Sequence, residues 1–158
     1  AMNLSKSSLY QAFGGKQTLF RRCVGRYTDQ FVAQLREGLA SAPSGRAFIE
    51  AFLSVMLDDV CGANEPRGCL VMNTASEFAQ GDTEIAHDVT RSIERFRAVL
   101  LAAVERAQRE GQVAPERDAR TLANFLVSSM SGLRTQAKAG ADAQTLKGSI
   151  AVTLKCLE

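Results

Sequence analysis

SKSSLYQAFGGKQTLF, residues 5–20, combines hydroxyl, basic, aromatic and glycine residues in an order around which the rest of the chain is organised. Ser5 is a helix N-cap residue, able to accept a hydrogen bond from a free backbone N–H of the first turn. Leu9 and Phe13 follow at the four-residue spacing of a buried helical stripe, which leaves Lys6, Ser7, Tyr10 and Gln11 on the outer surface. Short hydroxyls and amides near the start of such a helix reach phosphates or base edges, whereas Tyr and Lys bond phosphate without reading sequence. Gly14 and Gly15 break the helix. Lys16 then opens a second one, where its ammonium and the unpaired N–H groups of the first turn together suit a phosphate.

Charge sets this end apart. Residues 1–28 contain Lys6, Lys16, Arg21, Arg22 and Arg26 and no acid, so they carry +5, while the rest of the chain holds 14 basic against 17 acidic residues. The net charge of +2 therefore hides a basic end and an acidic body, a distribution that suits contact between one end and nucleic acid.

The order Ser-Lys-Ser-Ser-Leu-Tyr-x-x-Phe-x-x-Lys-x-x-Leu, Ser5 to Leu19, resembles the recognition helix and the following helix start of the tetracycline-repressor (TetR) family of bacterial transcription regulators. The resemblance implies that Tyr10 and Lys16 touch the DNA backbone, that Lys6, Ser7, Ser8 and Gln11 face the major groove, and that Leu9, Phe13 and Leu19 are core. Gly15 departs from the serine or asparagine cap frequent in the family, a change the position tolerates. A helix-turn-helix also needs a supporting helix before its reader. The residues before Ser5 leave no room for one, so residues 1–28 are expected to be the remainder of a DNA-binding domain and 29–158 a ligand-binding and dimerisation domain.

The body reads as all-α. Three prolines, no Trp and frequent Ala, Leu, Arg, Glu and Gln favour helix over sheet. There is no tract long enough to span a bilayer and no secretory signal. Cys23, Cys61, Cys69 and Cys156 are too scattered, with His87 as the single histidine, to suggest a zinc site; no metal or cofactor is implied, and a reduced cytoplasmic protein is the default expectation.

Helical periodicity runs from Lys16 to about Ala40 through Leu19, Phe20, Cys23, Val24, Tyr27, Phe31, Leu35 and Leu39. Ser41, Pro43, Ser44 and Gly45 interrupt it, and Phe48, Phe52, Val55, Met56, Leu57 and Val60 mark the next helix, ending near Cys61 and Gly62. Pro66 and Gly68 predict a turn, and Cys69 to Ala79 a short helix that carries Asn73, Thr74 and Glu77 in apolar surroundings. Arg67 to Val71 with Asn73 and Glu77 resembles a helix in the ligand domain of one branch of the same family. A long helix is predicted from Thr83 to about Glu110, with Ile85, Val89, Ile93, Phe96, Leu100 and Val104 inward and Arg91, Arg95, Arg97 and Arg106 among the solvated residues. Gly111 stops it, and Pro115 and Asp118 start another. A turn around Gly140 leads to a last helix through Leu146, Ile150, Leu154 and Leu157.

The resemblance implies that the last two helices meet a twin across a two-fold axis, a homodimer that gives palindromic DNA two readers at fixed spacing. Leu122, Leu126, Ser129, Leu133, Leu146, Ile150 and Leu154 are the residues assigned to that interface, with packing on the chain's own core as the other reading of the same pattern. By helix face and by resemblance, Phe52, Met56, Met72, Asn73, Glu77, Phe96, Asn124, Phe125 and Ser128 are assigned to a pocket for an unidentified small-molecule effector. Phe and Met at such spacing also fit plain core. Cys69, after Gly68 at a helix start, is a candidate redox or electrophile sensor, because a helix dipole stabilises a thiolate there. His87 reads as a solvated surface group.

An enzyme finds little support: the sequence has no glycine-rich phosphate loop, no nucleophile elbow and no helix bearing two histidines. The expected function is a non-enzymatic regulator, most simply a repressor whose full-length parent binds operator DNA and releases it when an effector enters the body; the chain without the supporting helix is expected to bind operator poorly. A helical adaptor whose basic end meets an acidic protein is the rival.

Overall fold

In the computed structural model the chain is built around one long helix, against which four others pack. The structure describes residues 5–61 and 68–158; the expected ends and turns at Gly62, Pro66 and Arg67 lie outside them, as do the side chains of Lys6, Leu9, Met56 and residues 58–61. Among the described residues the order is α1 (Lys6–Phe13), α2 (Lys16–Ser41), α3 (Gly45–Cys61), α4 (Leu70–Phe78), α5 (Thr83–Arg109), α6 (Ala119–Lys138) and α7 (Ala143–Lys155), with no strand.

Helix α5 is the axis. Its stripe of Ile85, Val89, Phe96, Val99, Leu100, Ala103, Val104 and Ala107 is buried, and α2, α3, α4 and α6 all pack on it. Helix α7 closes the far side against α3 and α6, and α1 packs on α2. The approach of α3 to α5 is close enough that a Cβ at Gly45 would lie 2.4 Å from the Ala103 carbonyl oxygen and 2.5 Å from the Ala107 nitrogen. Glycine is therefore required at that contact.

The helix ends follow the residues the sequence supplies. Asp82, Asp118 and Asp142 each accept backbone N–H bonds at the N-termini of α5, α6 and α7. Hydrogen bonds stabilise the charged carboxylate and hold it below its ordinary pKa at Asp118, chiefly from the Thr121 hydroxyl and then its N–H, and at Asp142, chiefly from the Thr145 N–H. Helix α3 is capped from two directions, since Ser44 accepts from the Ala47 N–H at 3.1 Å and Glu110 from the Gly45 N–H at 2.7 Å.

One expectation changes here, and one stripe is given its place. Arg106 is not simply solvated: its guanidinium donates to the Leu39 and Ala42 carbonyls, at 2.7 and 3.1 Å, and so holds the C-terminal end of α2. Leu122, Leu126, Leu133, Leu146 and Ile150, assigned to a dimer interface, are at most 6% exposed and form the core between α6, α7 and the body. Their stripe is the one by which α6 and α7 bury themselves against the chain's own core. Ser129 and Leu154 are half-buried. The outer faces of these helices carry other residues, Phe125 at 39% and Val152 at 64% exposure beside Gly132 and Gly148.

Candidate functional site

At the basic end, Ser5 begins α1 as the sequence predicts, its hydroxyl accepting the Ser8 N–H at 3.1 Å. The same oxygen lies 2.9 Å from the hydroxyls of both Ser7 and Ser8. Gly14 ends the helix at φ 78°, a left-handed conformation that side-chain-bearing residues rarely adopt, and Gly15 follows at φ 116°. Both glycine N–H groups turn back to the Tyr10 carbonyl, which sets a sharp corner before Lys16. Ser7, Ser8, Gln11 and Lys16 are exposed, and Tyr10 is half-buried. Helix α2 begins without a side-chain cap and without an acid in its first turn. Its free N–H groups and Lys16 thus form a positive end with no acid of its own helix to neutralise it. Arg22 lies over the Phe13 ring at 5.5 Å and ties α1 to α2.

Helix α2 spans about 39 Å at the usual rise per residue, so it carries this end along the whole body. A ladder of polar contacts holds it to α5. Arg21 reaches Glu84 and Asp88, both at 2.5 Å, Gln17 reaches Asp82, and Arg95 reaches Asp29 at 2.7 Å. Beneath them the buried Thr28 hydroxyl lies 3.0 Å from that of Ser92. The guanidinium of Arg21 beside Asp88 holds that carboxyl below the ordinary aspartate range. The alternating charge of α5 made its arginines look merely solvated; Asp29, sixty-odd positions earlier, gave no sequence signal of being Arg95's partner.

The residues assigned to an effector pocket do not share one place. Met72, Asn124 and Ser128 do come together, in a cavity of about 520 Å³ between α4, α5 and α6 that Ile93, Arg97, Arg120, Val127 and Ser131 complete. Phe52 instead lines an apolar groove of about 450 Å³ between α2 and α3, with Phe31, Phe48 and Val55. Phe96 is 1% exposed and packs edge-on against Phe31 within the core, because its position on α5 faces the axis of the bundle. Glu77 and Phe125 point outward, Asn73 is half-buried beside Gly68, and the Met56 side chain is outside the described residues. Arg97 and Arg120 went unassigned because charged residues on helices usually face solvent.

Cys69 occupies the N-cap position of α4, makes no cap bond with its side chain, and is 2% exposed. The Tyr27 hydroxyl donates to its sulfur at 3.8 Å. Burial, reinforced by Cys69, pushes the Tyr27 hydroxyl up to about 12, so it remains a donor at neutral pH. His87 is exposed, as expected. Among the described residues no group of His, Cys, Asp and Glu is arranged to hold a metal, and no helix is long and apolar enough to cross a membrane.

Residues 45–152 match the family model described as tetracyclin repressor-like, C-terminal domain. The chain is 24% identical over 149 residues to the HTH-type transcriptional repressor ComR of Escherichia coli (strain K12), covering 94% of this chain and 71% of that protein. It is 27% identical over 161 residues to the uncharacterised HTH-type transcriptional regulator YezE of Bacillus subtilis (strain 168), covering 99% and 81%. Among solved structures it is similar to a cysteine mutant of the TetR family transcriptional regulator CifR complexed with a 26-bp double-strand operator DNA, with a TM-score of 0.85, 26% identity, and coverage of 99% of this chain and 82% of that one.

Proposed function

The chain belongs to the tetracyclin repressor-like family, and from that premise we propose how it works as a DNA-binding transcription regulator: a repressor that holds its operator through α1 and the start of α2 and releases it when a small molecule enters the cavity between α4, α5 and α6. In this reading residues 1–28 belong to the DNA-binding part and 29–158 to the effector and dimer body. Ser7, Ser8 and Gln11 face the groove, and Tyr10 and Lys16 bind phosphate.

The observation that carries the reading is that α5 does two jobs. It supplies Ile93 and Arg97 to the cavity wall, and through Asp88 and Arg95 it grips α2, the helix that carries the reader. A ligand that binds better to one placement of α5 therefore shifts the placement of α1 as well. Two such chains, paired through the outer faces of α6 and α7, would set the distance between their readers, and the ligand would change that distance.

Anisotropy of labelled DNA from the region flanking the protein's own gene, titrated at rising salt, tests the assignment. A regulator loses affinity steeply with salt and prefers its own sequence over scrambled DNA. An adaptor for acidic proteins would show neither sequence preference nor a DNA salt slope.

A further inference from the structure

The cavity between α4, α5 and α6 holds cationic groups and no carboxylate in its lining. In the groove between α2 and α5, Arg21, Arg91 and Arg95 are each paired with a carboxylate among Asp29, Glu84 and Asp88. The groove between α2 and α3 has no charged residue in its lining. The third cavity contains two guanidiniums, from Arg97 on α5 and Arg120 in the first turn of α6, and no acid in its lining. The Nε atom of Arg97 is buried and has no hydrogen-bond partner among the described residues. Neither arginine takes part in an ion pair among the described residues, although Arg120 lies within the field of the capping Asp118.

A guanidinium keeps its charge at any physiological pH, so it cannot escape this setting by losing a proton. A buried donor left without an acceptor, as Arg97 Nε is, is unfavourable, and with the exposed Arg120 guanidinium beside the same cavity its natural complement is a planar or tetrahedral anion that accepts several N–H bonds at once. Asn124 and Ser131 stand along the same flank of α6 as Arg120 and add neutral donors, while Met72 and Val127 supply an apolar wall. We propose that this cavity binds an organic anion, its carboxylate, sulfonate or phosphate head on Arg97 and Arg120 and its apolar body on the α4 side. The proposal rests on the effector reading of the same cavity and names the chemical class of the effector.

Two fluorescent probes that differ only in charge provide the test: anilinonaphthalene sulfonate and its neutral parent, phenylnaphthylamine. The anion should bind the protein at least about tenfold more tightly than the neutral compound, a gain within reach of charge-assisted hydrogen bonds. Arg97→Gln and Arg120→Gln should each remove most of that preference while leaving phenylnaphthylamine binding intact, which also reports that the variant is folded. Should Arg97→Gln unfold the protein, Arg120→Gln at the exposed start of α6 decides. Absence of binding by the sulfonate, equal affinity for both probes, or a preference untouched by both substitutions would overturn the proposal. A parallel band shift separates the two readings. Arginine-dependent probe binding that never alters DNA affinity would sink the effector reading and leave the anion site standing. DNA release by a neutral compound, with no arginine-dependent anion preference, would do the reverse.

Discussion

Lys16 and Gln11 stand a few residues apart on the same end of the molecule, yet their chemistry predicts different losses. Lys16 is an exposed point charge at the uncapped start of α2. Its replacement by alanine should weaken DNA binding to all sequences alike and lower the salt slope by about one. Gln11 is an exposed amide on the reader, able to bond a base edge in two places. Gln11→Ala should cost about 1–3 kcal/mol on the preferred sequence and relax selection at one base position, read by binding to a set of single-base variants. The cap, the glycine corner and the exposure of both residues are legible in the sequence because they are local, all lying within residues 5–20. The cavity is not local. Met72, Asn124 and Ser128 are visible as polar or flexible residues on apolar helices, but Arg97 and Arg120 gain their meaning only when α5 and α6 pack side by side.

Between elements, two contacts hold the fold in its working shape. Gly45→Ala would drive a methyl into the backbone of α5 at Ala103 and Ala107, neither of which is a flexible side chain that can move aside. The expected loss is about 1–3 kcal/mol in urea unfolding, typical of overpacking. The second contact is the ladder from α2 to α5. Asp88 has its pKa depressed in the folded protein, so its contribution is fully present above the ordinary aspartate value of 3.8 and is lost as pH falls through the lower folded value. Wild type and Asp88→Asn should therefore differ in melting temperature at neutral pH and converge in acid below that range; a constant difference down to the lowest pH would contradict the ladder. Helix existence and order were readable from periodicity and from Gly and Asp punctuation, since Asp82, Asp118 and Asp142 all act as caps. Which helix each stripe faces was not, and for that reason the apolar residues of α6 and α7 fit both a twin and the chain's own core in the sequence, whereas in the structure Leu122, Leu126, Leu133, Leu146 and Ile150 are buried within the chain.

For the whole molecule, the surface left for a twin is the outer face of α6 and α7. Phe125 and Val152 are large exposed apolar groups there, and Gly132 and Gly148 allow close approach. Phe125→Glu with Val152→Glu should convert a dimer to a monomer in sedimentation, with an unchanged helical signal, whereas Leu126→Ala should instead lower stability by about 2–5 kcal/mol as a core cavity. DNA binding should fall with the dimer, because a single reader loses the second half-site. The basic end and acidic body, +5 against −3, already pointed to this division of labour in the sequence.

The decisive experiment is a footprint of the full-length protein that carries this chain on the DNA flanking its own gene, with Tyr10→Ala and Lys16→Ala beside it. The expected result is a protected palindrome at low salt that weakens in both variants. Protection of no sequence by the wild type, or equal protection by all three proteins, would contradict the assignment of α1 and the start of α2 as the DNA reader.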